Sequence, residues 1–181
     1  RGNICQYCYS AFDFLSRFVT KVDYANLLLS FYDPETFKYL GDGHEVNMHL
    51  TGNQFRVEAI LDGVYKGSWL FDMGASSTSL DGALAVRQGL TKKRVVELLG
   101  RGAGRAFKLG SVKCQKLEFA GFLVDNPIII LSTDGIDTTV RSDETGALGN
   151  ILFRNFVIYC DYAHEKLIVE KGDKFNQPFP I

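Results

Sequence analysis

At 181 residues, with 46% hydrophobic and 23% charged side chains, the chain has the make-up of one ordinary globular domain plus a small appendage. A net charge of −1, from 20 basic and 21 acidic residues, leaves no basic stripe to meet a phosphate backbone and argues against nucleic acid as a partner. The apolar runs at 120–124 and 128–131 are too short to cross a bilayer, so no membrane span is expected in this chain.

In chain order the first marked feature is Cys5-Gln6-Tyr7-Cys8, with the spacing of a redox or zinc motif. A zinc site needs a second ligand pair, and His44, His49, Cys114 and Cys160 offer none at recognisable spacing. The two cysteines therefore read as incidental or structural, with a zinc or redox module as the outlying alternative. No metal or other cofactor is expected.

A duplication follows. Phe18-Val19, Asp23-Tyr24-Ala25 and Leu29 reappear as Phe156-Val157, Asp161-Tyr162-Ala163 and Leu167, at a constant offset of 138 (161 − 23). Phe14 and Leu15 match Leu152 and Phe153, and Phe37 matches Phe175. Constant register over such a length favours a true repeat over chance. Each copy reads as a short helix, a strand, a tight turn and a second strand. The spacing of Phe14, Leu15 and Phe18 puts them on one helical face. Residues 27–31 and 166–169 are the second strands, entered through turns at Ala25-Asn26 and Ala163-His164. The chain then divides into 1–40, the closing tail of an upstream unit; 41–172, a full unit; and 173–181, a linker.

The full unit reads as mainly β. Val46, Met48 and Leu50 alternate with polar residues, as do Phe55, Val57, Ala59 and Leu61. Asp62-Gly63 signals a turn before a second apolar strand, Trp69-Leu70-Phe71. Asp81 caps a short helix at 83–88 that Gly89 stops. Residues 117–124 and 128–131 are further strands around the turn at Asp125-Asn126-Pro127.

The chemistry concentrates in Phe71-Asp72-Met73-Gly74-Ala75-Ser76-Ser77-Thr78. An aspartate stands where an apolar strand ends, followed by small and hydroxyl-bearing residues able to bond around its carboxylate. Asp-x-Gly alone more often marks a turn-capping aspartate. Downstream lie Gly100-Arg101-Gly102-Ala103-Gly104, and then Gly146-Ala147-Leu148-Gly149-Asn150 ahead of Ile151-Leu152-Phe153.

Taken together and in this order, these segments resemble the retropepsin-like aspartic peptidases, over about residues 46–170. The nearest likeness is to bacterial aspartyl-protease-like proteins with tandem lobes. Phe71-Asp72, Gly74-Ala75 and Thr78 match the family's active-site motif, whereas Met73 stands where the motif has Thr or Ser. The resemblance implies a closed β-barrel lobe with one or two short helices. It implies Asp72 as a catalytic aspartate in a loop with Met73, Gly74, Ala75, Ser76 and Thr78. Gly100, Arg101, Gly102, Ala103 and Gly104 would form the flap, and Gly149 and Asn150 the supporting loop. The substrate would be a peptide or unfolded protein. The family uses two facing aspartates, and Asp134, Asp137 and Asp143 lack the strand-then-turn setting. The second aspartate must come from another peptidase lobe or a homodimer mate. The family's hydroxyl at position 73 braces the two loops against each other, and methionine has no donor for that bond. An inactive, peptide-binding domain of the same fold is thus the rival reading. The resemblance is compatible with a periplasmic or secreted setting, though the compartment is not legible in the residues.

Overall fold

The computed structural model describes residues 14–51, 54–87, 89–90, 95–102, 105–132, 145–175 and 177, with the backbone alone for 98–102, 105–108 and 132. Fifteen strands make the described residues mainly β, with short helices at 82–87 and 150–153. Five strands form an antiparallel sheet in the order β2 (Leu28–Tyr32), β1 (Val19–Asp23), β14 (Phe156–Asp161), β15 (Lys166–Lys171) and β3 (His44–Asn47). The larger, ten-stranded sheet runs β11 (Phe122–Asp125), β10 (Lys116–Phe119), β5 (Gln54–Leu61), β6 (Tyr65–Phe71), β13 (Gly146–Leu148), β7 (Ser79–Leu80), β12 (Ile128–Ser132), β9 (Arg105–Lys113) and β8 (Val96–Gly102), with β4 (His49–Thr51) on β5. Among the described residues no ladder joins β11 to β8. The expected closed barrel is therefore present only as a long, continuously paired sheet.

Alternation builds the core. Phe55, Val57, Ala59 and Leu61 point inward from β5, as Trp69 and Phe71 do from β6. Phe156, Ile158 and Cys160 of β14, with Leu167 and Val169 of β15, enter the same cluster from the smaller sheet. The core thus lies between the two sheets, and Met48, Phe119 and Phe153 fill it. Asp62 and Gly63 take positive φ of 51° and 69° to turn β5 into β6. Asp62 Oδ1 then accepts bonds from the amides of Gln115 and Lys116, at 2.7 and 3.0 Å, tying that turn to β10.

Two stretches that read as single strands are each broken in two. Residues 44–51 divide at Met48, whose amide donates to the Glu165 carbonyl at 2.7 Å, so that β3 joins one sheet and β4 the other. Residues 117–124 fold back as the β10–β11 hairpin, because Ala120 and Gly121 both take left-handed φ, 50° and 77°.

Helix α1 (Gly82–Arg87) begins where Asp81 Oδ1 accepts the Leu84 amide at 2.7 Å, and Gly89 ends it at φ 73°. Asp81→Ala removes that cap and should cost about 1 kcal/mol, read as a lower urea midpoint at unchanged slope.

The two hairpins β1–β2 and β14–β15 share one turn. Asp23 Oδ1 accepts the Asn26 amide at 3.0 Å, and Asp161 Oδ1 the His164 amide at 3.2 Å. Leu27 and Glu165 close these turns at φ 54° and 53°. Asp23 and Asp161, the last residues of β1 and β14, therefore serve the turns that follow them.

Candidate active site

Strand β6 delivers Asp72 to the end of the large sheet. Beyond it the chain crosses from one side of β13 to the other: β13 pairs parallel with β6 and antiparallel with β7. The loop at 72–78 therefore wraps around the end of β13, and helix α2 (Asn150–Phe153) starts directly behind it.

The loop's own backbone holds the carboxylate. Gly74 and Ala75 donate their amides to Asp72 Oδ1, at 2.8 and 3.2 Å, and the Asp72 amide donates to the Leu148 carbonyl at 3.1 Å. Among the described residues no hydrogen bond reaches Oδ2. The two donated N–H bonds fix the group in place with one oxygen engaged. Gly74 is not required by a positive φ; a Cβ there would meet only Asp72 Oδ1, at 3.1 Å.

From behind, residues 149–151 lock the loop. The Gly149 amide donates to the buried Thr78 Oγ1 at 3.2 Å. Asn150 and Ile151 donate their amides to the carbonyls of Ala75 and Ser76, at 2.8 and 3.1 Å. Asn150 Nδ2 donates to the Met73 carbonyl at 2.6 Å. The approach is close enough that a Cβ on Gly149 would collide with the Ser77 carbonyl. The Met73 side chain packs, half-buried, against the core.

One contributor was not legible as a site residue. Tyr24, in the turn after β1, donates its hydroxyl to Asn150 Oδ1 at 2.5 Å. Burial pushes its pKa up, which keeps the hydroxyl protonated and donating. A chain of bonds thus runs from the amino-terminal hairpin through Asn150 to the backbone of the Asp72 loop. The repeat marked Tyr24 by its match with Tyr162, but nothing local revealed a partner 126 residues away.

Gly100, Arg101 and Gly102 end β8 and pair with Phe107, Ala106 and Arg105 of β9. Ala103 and Gly104 lie outside the described residues, as do Asp134, Asp137, Asp143, Cys5 and Cys8. Among the described residues no three His, Cys, Asp or Glu side chains gather as a metal site. Cys114 and Cys160 are both buried, and burial pushes the Cys160 thiol up to about 12. His44 stacks on Phe122, its Nδ1 2.8 Å from the Ala120 carbonyl. No described helix is long and apolar enough to cross a membrane.

No family model and no curated protein matches this chain. Among solved structures, the crystal structure of a retropepsin-like aspartic protease from Rickettsia conorii aligns with a TM-score of 0.51 at 20% identity. The alignment covers 74% of this chain and 96% of that one. A likeness at such identity bears on architecture, and with the wrapped loop at 72–78 it gives the chain a retropepsin-like fold.

Proposed function

We propose that this chain is one lobe of an aspartic endopeptidase, with Asp72 as one of two carboxylates that activate a water for attack on a peptide bond. The observation that carries the reading is the held Asp72 carboxylate, at the end of β6 in a loop locked from behind, on a retropepsin-like fold. Two facing carboxylates cannot both ionise cheaply, so one keeps a proton. The ionised member takes a proton from the water while the protonated one polarises the scissile carbonyl. The second carboxylate comes from another lobe or from a homodimer mate. The β8–β9 hairpin, with Gly100, Arg101 and Gly102 near its tip, takes the part of the flap over an extended substrate.

A second reading rests on Met73, which offers no side-chain donor to brace the loop against a partner. In that reading the cleft binds peptides without cutting them. The test is cleavage of an unfolded protein from acid to neutral pH, by the chain at high concentration and by the chain with a second lobe joined ahead of it. The expected result is cleavage in one of these arrangements, falling about 10³-fold in Asp72→Asn. Peptide binding without cleavage, unchanged by that substitution, would favour the second reading instead.

A further inference from the structure

The 138-residue offset and the strand register together define a local twofold axis. In the β1–β14 ladder Val19 faces Asp161, Lys21 faces Tyr159 and Asp23 faces Val157. The offset maps Val19 onto Val157, Lys21 onto Tyr159 and Asp23 onto Asp161. Exchanging the two copies therefore maps the ladder onto itself, with the axis passing through Lys21 and Tyr159. The hairpins β1–β2 and β14–β15 are the two halves of one symmetric arrangement, down to the turn geometry they share.

The environments of the two halves differ sharply. Phe14 is 51% exposed, whereas its counterpart Leu152 is 1% exposed. Leu29 is 51% and Phe31 41% exposed, whereas Leu167 and Val169 are both at 0%. In the second copy these positions sit in the core that carries Asp72. In the first they form an apolar face with the rings of Phe14, Phe18 and Phe31 against one another. The edges differ too: β15 is flanked by β3, whereas among the described residues no strand pairs with the outer edge of β2. By the same offset, β2 has no counterpart of β3 among the described residues.

We infer that residues 14–32 are the closing helix and hairpin of a second retropepsin-like lobe. That lobe's core covers Phe14, Leu29 and Phe31, one of its strands pairs with the outer edge of β2, and the axis through Lys21 and Tyr159 relates it to the lobe of Asp72. The inference rests on the proposed function and names the source of the second carboxylate: a tandem lobe, not a second copy of this chain. Occupation of the β14 edge by β1 supports the choice, because a twofold mate would need that edge for its own β14.

The experiment joins residues 41–151 directly to residue 14, followed by the chain to its end, so that the added copy stands where the offset places it. Leu29→Cys is introduced into this tandem and into the single chain, the latter with Cys5 and Cys8 replaced by serine. Labelling of that thiol by a soluble maleimide should slow at least tenfold in the tandem, while Leu40→Cys, fully exposed, labels equally in both. Equal labelling of Leu29→Cys would overturn the inference, and so would an added copy that stays unfolded beside a folded second lobe. Protection that appears in the single chain as its concentration rises would overturn it in favour of self-association. The readout does not depend on catalysis, so protection without cleavage would refute the peptidase reading and leave the partner assignment standing. If the tandem is insoluble, the whole chain still decides. Phe31→Ser should move its thermal midpoint by no more than about 2 °C, whereas Val169→Ser should lower it by about 8 °C or more. Equal losses would show that the face is already covered.

Discussion

Replacing Trp69 with alanine is expected to destabilise the chain by about 4 kcal/mol, lowering its thermal midpoint by about 8 to 16 °C. Trp69 is fully buried, donates its indole N–H to the Ala59 carbonyl at 3.1 Å, and lies under β13, where a Cβ on Gly146 would press on its ring. Alanine leaves a cavity beneath the strand that the Asp72 loop encircles and deprives that carbonyl of its donor. Against a total stability of about 5–15 kcal/mol, the loss takes much of what holds the fold. Because the chain has a single tryptophan, unfolding must be followed by circular dichroism rather than indole fluorescence. Trp69→Phe fills much of the space and should recover more than half of the loss. Equal losses in both variants would mean that the hydrogen bond, not the volume, is what counts.

Gly149→Val should cost about 3 kcal/mol and displace the Asp72 loop as well. Gly149 has ordinary extended backbone, φ −121° and ψ −180°, so the cost comes from collision and not from conformation. The added carbons would meet the carbonyls of Ala75 and Ser77, backbone atoms already engaged in the packing of loop against strand. Gly63→Val is the control: there φ is 69°, a strained setting for valine, but nothing stands within 4 Å of its Cβ. The two variants separate by hydrogen exchange at 74–78, which should quicken only in Gly149→Val.

The parts of the fold that the residues made legible are those with local causes. Alternation at Phe55, Val57, Ala59 and Leu61, the Asp62-Gly63 turn and the Asp81 cap each depend on neighbours within a few positions, and each is found where the pattern put it. The misreadings have long-range causes. Met48 keeps the apolar rhythm of a strand, yet its amide is claimed by Glu165, more than 100 residues away, and the strand parts there. Ala120 carries a Cβ, and nothing in its type announces the left-handed turn that makes a hairpin of 116–125.

At the site, the Asp-x-Gly setting of Asp72 was legible because an apolar strand, a carboxylate and small residues are adjacent in sequence. The ties that hold it, from Asn150 to Met73 and from Tyr24 to Asn150, join segments 77 and 126 residues apart. Only the resemblance placed Gly149 and Asn150 behind the loop, and no spacing rule would have added Tyr24.

The measurement that bears most directly on a two-lobed peptidase uses the tandem protein, which carries Asp72 twice. Cleavage of an unfolded protein is followed from acid to neutral pH in the tandem and in its two single Asp72→Asn variants. If the carboxylates form one shared pair, either substitution alone abolishes cleavage. Cleavage that persists at half its rate or more in both single variants would contradict the account, since each lobe would then act without the other.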